Sequence, residues 1–300
     1  MDELRVTAPA SSANLGPGFD VLALALELPF EIATAAAVAD GGGRYLPLEA
    51  THPGYVAYLA AGGEAGRELC WRSPIPPGRG LGFSGAARVA GAYLARRQMG
   101  EEPPRARAVA YETAAGLEGH RDNAAASAHG GFCVAAPEAP LRLPTPEGLL
   151  ESLRVVAWSP GTGTSTKAAR LDLATSVPLL AAVRAIAGTA TWVAAMASGR
   201  TELLRAACRD ELHQPHRLAA RPDSAAVLTA LVEREEVLAA WLSGSGPTVA
   251  ALVDSERATG LATWLSRAVA PSPDGAAGTL PAGRVSTLTP AGRGVRSNLD

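Results

Sequence analysis

Lysine is nearly missing from this chain. Lys167 is the only one and every other basic residue but histidine is arginine, so a phosphate loop of the GxxxxGK[ST] type, whose lysine reaches the β- and γ-phosphates, has no place here. Nor is there a dense run of arginine. A net charge of −2 and a pI near 6.2 leave no electrostatic footprint for nucleic acid, which is excluded as a partner. Cysteine is equally scarce. Cys70, Cys133 and Cys208 are odd in number, widely spaced and without a CxxC or a histidine at ligand spacing, and they read as small buried hydrophobes. The longest apolar run, VLALALELPFEIATAAAVA, is interrupted by Glu27, Pro29 and Glu31, which a bilayer would not accept cheaply, so it reads as soluble core. The opening MDELRVTAPA has an acidic flank and no apolar segment of signal-peptide type. The expectation is a cytoplasmic protein without a membrane partner.

What is present points to an α+β chain of two domains. At 300 residues there is volume for one large core or two modest ones. Short β-like segments (LRVTAPA, LCWRSPI) precede helical patterns near 84–99 and 105–117, and GGFCVAA at 130–136 reads as another strand. The proline-rich PEAPLRLPTPEG then breaks regular structure, placing a boundary near 140–152 and domains at 1–150 and 151–300. The second half opens on the strand LRVVAWSP and passes through an alanine-rich helical region from 177 to 233. It then turns through VLAAWLSGSGPTVAALVD as strand, turn and strand, and ends on a strand near 283–289. Strict βαβ alternation is absent. Antiparallel or mixed sheets with helices packed on them fit better than a doubly wound parallel sheet.

Four segments carry chemistry. In PPGRGLGFSGAARVAGAYLA, the glycines Gly78, Gly80, Gly82 and Gly85 permit close backbone approach, and the helix that follows aims unpaired N–H groups at whatever fills the turn. Phosphate suits that geometry, although glycine turns before helices are also common for steric reasons alone. PASSANLGPGFD sets Asn14 and Asp20 on a shaped turn, YETAAGLEGHRDNAAASAHGGF concentrates Glu, His, Asp and Asn, and LSGSGPTVAAL is a second glycine turn between apolar strands. Each has a plain alternative: a simple turn, a helix capped by Asp122 or Asn123, and a hairpin.

Taken in order and over nearly the whole chain, SANLGPGFD, PPGRGLGFSGAA, GHRDNAAASAHGGF, STKAAR, DELHQPHR and SGSGPT resemble the GHMP superfamily of small-molecule kinases, most closely its homoserine kinases. The resemblance implies a two-domain GHMP-kinase-like fold with a ferredoxin-like C-terminal domain. It implies an ATP- and Mg2+-dependent phosphotransferase acting on the side-chain hydroxyl of L-homoserine, giving O-phospho-L-homoserine on the way to threonine, and a homodimer.

By the same resemblance, Gly78, Arg79, Gly80, Leu81, Gly82, Phe83, Ser84, Gly85 and Ala86 form the ATP phosphate loop, and Ser84 and Glu112 hold the magnesium ion. Glu112 is placed there because it lies eight residues before His120; a hard cation wants such oxygen ligands. Asp20 takes the substrate ammonium, Arg170 and Arg217 its carboxylate, and Asn14, His120 and Asn123 orient its chain and hydroxyl. Asn123, then Asp122, then Thr166 stand at the reacting hydroxyl. Lys167 carries no role in that pattern, and His213 and His216 read as packing around Arg217 rather than a metal pair.

Two departures keep other readings open. Phe83 stands where the family's loop has a first serine, and LLAAVRAIAGTATWVAAMASG lacks the family's Asn and following Arg, with Gly188, Thr189 and Trp192 in that neighbourhood. A GHMP kinase for another hydroxyl acceptor, or a non-catalytic metabolite-binding relative, remains compatible with the residues. A phenyl ring at 83 either narrows the phosphate cleft or turns into the core and leaves the loop amides free.

Overall fold

The computed structural model describes residues 3–38, 44–136, 140–163, 170, 173, 176–271 and 278–300. Its first sheet is built on β1 (Arg5–Ala13) and the long β2 (Leu22–Thr34), antiparallel, with a register shift between Pro9 and Ala10. The far edge of β2 is shared. Leu22–Leu24 pair with β5 (Phe132–Ala135), and Glu31–Thr34 pair with β4 (Leu69–Arg72). β3 (Leu46–Pro47) extends the β4 arm and β6 (Pro140–Arg142) the β5 arm.

The interrupted apolar run is therefore largely one strand. Leu22 to Leu26 are buried without alternation because both faces of that stretch are covered. Its two acids are accommodated: Glu27 is exposed and Glu31 is forked onto Arg72 at 2.9–3.1 Å.

Four helices accompany this sheet: α1 (Pro53–Ala60), α2 (Phe83–Gln98), α3 (Pro103–Glu118) and α4 (Asp122–His129). α2 and α4 lie against β1 and β2, and α1 and α3 flank α2. The buried faces of α2 and α4 are mostly alanine, which brings helix and strand backbones close. That closeness sets the ends of α2 and α4 next to the end of β1.

The second sheet holds β7 (Leu153–Ser159), β8 (Ala239–Leu242), β9 (Val249–Asp254) and β10 (Arg284–Leu288) in the order β10-β7-β9-β8, all antiparallel. Between β7 and β8 come α5 (Leu179–Ser198), α6 (Leu204–Ala207), α7 (Gln214–Ala219) and α8 (Pro222–Val232); α9 (Ser255–Val269) joins β9 to β10. Strand order 4-1-3-2 with helices after the first and third strands is the ferredoxin-like arrangement.

Side chains alternate along these strands. Val156, Trp158, Val249, Ala251 and Val253 pack with α8 and α9, while Val155, Ala157, Ala250 and Leu252 join the core shared with the first sheet. Both faces are buried, which is why LRVVAWS and VAALV read as continuous apolar runs.

The chain's end departs from a simple two-part division. β11 (Arg296–Ser297), counted with the second half in the sequence reading, pairs with β1, and the Asp300 carboxylate accepts the Tyr93 hydroxyl at 2.6 Å. α5 is long and apolar enough to cross a bilayer by length and composition, yet Trp192, Ala195 and Met196 pack in the core. Cys133 and Cys208 are buried and burial pushes both thiols up to about 12, as expected of structural cysteines, whereas Cys70 in β4 is only partly buried.

Candidate active site

β1 runs into a turn whose backbone is unusual. Asn14, Leu15 and Asp20 adopt φ of 71°, 49° and 59°, a region where Asn and Asp are tolerated and Leu is strained. Burial of Leu15 and a hydrogen bond from Asp20 N to Asn14 Oδ1 at 3.1 Å hold the turn. Asn14 Nδ2 in turn donates to the Gly244 carbonyl at 2.8 Å, joining this turn to the SGSGPT turn between β8 and β9.

The glycine loop closes over the same point. Gly80 has φ 76°, and a Cβ there would fall 2.2 Å from the Ser243 carbonyl oxygen; at Gly82, φ 70°, it would fall 2.1 Å from Ser11 Oγ. Only glycine fits either position. A polar chain fastens the loop from beneath: Trp241 Nε1 donates to Ser12 Oγ at 2.9 Å, the Ser12 and Ser243 hydroxyls are 2.7 Å apart, and Ser243 Oγ donates to the Gly80 carbonyl at 2.6 Å. Gly82 is the residue before α2, so the unpaired N–H groups of a 16-residue helix open toward the turn.

Phe83 packs its ring into an aromatic cluster. It meets Phe30, His52 and Trp71 edge-on, with centroids at 5.6, 5.8 and 5.6 Å, and forms a wall of the cavity rather than a plug. Burial and the Arg88 charge hold His52 down to about 4, so it is a neutral member of that cluster.

These elements line an open cavity of about 180 Å³. Gly78, Arg79, Gly80, Gly82, Phe83, Ser84 and Gly85 form one end; Asn14, Asp20, His120, Asp122, Asn123, Arg170 and Arg217 form the other. Leu81 and Ala86 do not line it, because both side chains are in the core. Arg79 is spent on the carbonyls of Pro160 and Gly161. Thr166 lies outside the described residues.

Glu112 needs correction. It projects from α3 to solvent with a side chain 53% exposed and pairs with Arg121 at 3.1 Å, off the cavity. The carboxylate at the loop is Glu118, six residues on and therefore about 240° around the helix axis. Glu118 is 6% exposed, accepts Arg88 Nη1 on Oε1 at 2.8 Å, and has no partner for its buried Oε2. Counting eight residues back from His120 missed it. The signal in the sequence was LEGH, an acid on a helix's last turn before a glycine, here Gly119 at φ 74°.

At the other end, Arg170 Nη2 donates to Asp20 at 2.5 Å, and both arginines stand over the Phe19 ring, 5.6 and 5.3 Å from its centroid. Arg217 is buried; burial, with repulsion from Arg170, lowers it to about 10, still cationic at neutral pH. Its Nη1 is shared between the Gly244 carbonyl and His213 Nδ1, both at 3.0 Å, and the other ring nitrogen of His213 faces the Gly16 carbonyl at 2.9 Å. His213 is thus packing for Arg217, whereas His216, expected to share that role, is exposed. The Nε of Arg170 and of Arg217 is buried without a partner.

Asp122, buried at the start of α4, accepts on one oxygen from His120 Nδ1 at 2.8 Å, from Asn123 N at 2.8 Å and from Asn123 Nδ2 at 3.3 Å. Burial alone would lower His120, but the hydrogen bond and charge of Asp122 outweigh it and raise the imidazole above its usual value. Asn123 Oδ1 accepts the Ser11 hydroxyl at 2.9 Å. Ligand-type atoms of Asp20, His120 and Asp122 fall within 4.8 Å of one another.

Family models for the GHMP kinases N-terminal domain and the GHMP kinases C-terminal region match residues 54–131 and 192–267. Among curated proteins, a homoserine kinase of Thermus thermophilus is 42% identical over 263 residues, 84% of this chain and 87% of that protein; the Streptomyces coelicolor homoserine kinase is 38% identical over 85% and 86%. Among solved structures, homoserine kinase from Cytophaga hutchinsonii superposes with a TM-score of 0.77 at 25% identity, over 99% of this chain and 98% of that one. A mevalonate kinase shares the fold at a TM-score of 0.64 and 12% identity, over 96% and 99%.

Proposed function

The chain belongs to the homoserine kinases of the GHMP superfamily, and from that premise we propose that it transfers the γ-phosphoryl group of ATP to the side-chain hydroxyl of L-homoserine, a cytoplasmic step toward threonine. One observation carries the reading: a single cavity joins a glycine loop at a helix N-terminus to a site with Asp20, two arginines and a His-Asp-Asn group centred on the buried Asp122. The first end suits a triphosphate, the second a zwitterionic amino acid with a hydroxyl.

Asp20 and Arg170 neutralise each other in the free protein. A substrate entering between them gives its ammonium to Asp20 and its carboxylate to Arg170 and Arg217, both of which line the cavity. Sugars and isoprenoid acceptors lack that pair of charges. Asp122, with three donors on one oxygen, positions His120 and the Asn123 amide at the reacting hydroxyl. Phosphoryl transfer asks chiefly for alignment and charge stabilisation, which this arrangement supplies without a strong base.

Magnesium fits the corner between Ser84 and Glu118, where a buried carboxylate oxygen lacks a partner beside a hydroxyl, the oxygen donors a hard cation prefers. Bound there, it would neutralise charge on the phosphate oxygens. The loop amides hold the phosphates, and Phe83, standing in the wall, leaves those amides open.

The test is ADP release with Mg-ATP across L-homoserine, D-homoserine, L-serine, L-threonine and mevalonate, with Glu118→Ala as control. Turnover with L-homoserine that disappears in the control is expected. Turnover with mevalonate and none with any amino acid would refute the acceptor assignment.

A further inference from the structure

The corner assigned to magnesium already contains a cation belonging to the chain. Arg88 lies one turn beyond Ser84 on α2, so its side chain leans back toward the first turn of the helix. Its Nη1 donates to the Ser84 hydroxyl and, at 2.8 Å, to Glu118 Oε1.

Two features separate this contact from an ordinary ion pair. A cation at a helix N-terminus opposes the helix dipole and needs an anion in front of it. Glu118 is such an anion, and bound phosphates would be another. The pairing is also half-made. Arg72 engages both oxygens of Glu31 through Nε and Nη2, the fork a guanidinium and a carboxylate usually form. Arg88 takes one oxygen of Glu118 only, while its own Nε and Glu118 Oε2 stay buried and unpartnered. Glu118 is thus held in place with one oxygen kept for a second cation, and Arg88 keeps a donor for a second anion.

We propose that Arg88 is a positioning residue of the nucleotide site. In the free enzyme it stands in for the metal by holding Ser84 and Glu118, and when Mg-nucleotide takes those two oxygens its guanidinium passes to the phosphates. There its charge replaces the contact that a serine at position 83 would make. The proposal rests on the kinase reading above. It carries one consequence a structural ion pair lacks: Arg88 supports nucleotide binding only once metal has taken Ser84 and Glu118 from it.

Calorimetric titration of ADP into the full chain, with Mg2+ and with EDTA, gives two dissociation constants whose ratio measures metal dependence. Arg88→Met should lower the ratio of the EDTA constant to the Mg2+ constant about tenfold, the loss of one charge-assisted contact felt only with metal, and Arg88→Lys should recover most of it. A fall of less than about threefold overturns the proposal; a larger one supports it. If Arg88→Met does not fold, wild-type crystals with and without Mg-ADP decide, and a guanidinium that stays on Ser84 and Glu118 in both overturns it. Absence of ADP binding by the wild type in both conditions would bring down the kinase reading itself, and this inference with it.

Discussion

Phe83→Ser restores the hydroxyl missing from the glycine loop and removes the ring that meets Phe30, His52 and Trp71 edge-on at 5.6–5.8 Å. Truncating a fully buried phenylalanine costs about 3–5 kcal/mol, and Phe83 is only partly buried, so about 2 kcal/mol is expected. Edge-to-face pairs contribute about 0.5–1.5 kcal/mol each beyond area, which makes that a lower bound if all three are lost. For a cooperative unit of roughly 150–250 residues, this lowers Tm by about 4–8 °C. Because the ring is packed into that aromatic cluster, the dissociation constant for Mg-ADP should change by less than about threefold, under about 0.7 kcal/mol. Thermal unfolding and calorimetry on the same preparation check both halves. An unchanged Tm together with a tenfold or greater gain in nucleotide affinity would mean the ring obstructs the phosphates, and the inward-packing argument would be wrong.

Glu118→Gln should lower kcat by about 10²-fold or more at saturating Mg-ATP, as expected when a charged oxygen at the phosphates is lost, whereas Glu112→Gln removes only an exposed pair with Arg121 and should change kcat less than twofold and stability by about 0–1 kcal/mol. Equal losses in the two variants would reverse the correction. Stability should fall as pH drops from about 6.5 toward 4, since burial first and neighbouring arginines second hold both His52 and His129 down to about 4 in the fold. The unfolded chain then takes up protons first and is favoured. His120 works in the opposite sense, its raised value adding stability that is full below about 6.5 and lost as pH rises through the folded value. Three depressed histidines, His213 being lowered by burial as well, against one raised group predict a lower urea midpoint at pH 5 than at pH 7.5, shallower in His129→Gln; a higher midpoint at pH 5 would refute the sign.

Much of the site was legible because its parts are local in the chain. A glycine loop before a helix, an Asn and an Asp on a tight turn, and a His-x-Asp-Asn run need only their own few residues to declare their chemistry. The ferredoxin-like half was legible as strands and turns for the same reason. Glu118 was misread as Glu112 because counting residues ignores where a helix ends: Gly119 terminates α3, and the last turn, not the middle, faces the loop. Arg88 left no mark at all, since an arginine inside an alanine-rich helix looks like one more solvated charge.

By itself the sequence determined the local pieces: where the backbone needs glycine, where a helix begins, which side chains carry charge or a hydroxyl, and from the order of those pieces the kinase family. Whether Phe83 blocks or lines the cleft, which glutamate reaches the loop, and that Asp20 meets Arg170 from 150 positions away were decided by tertiary structure alone. Those outcomes depend on distances between elements, and such distances follow from how two sheets and their helices pack, which no short stretch of chain contains.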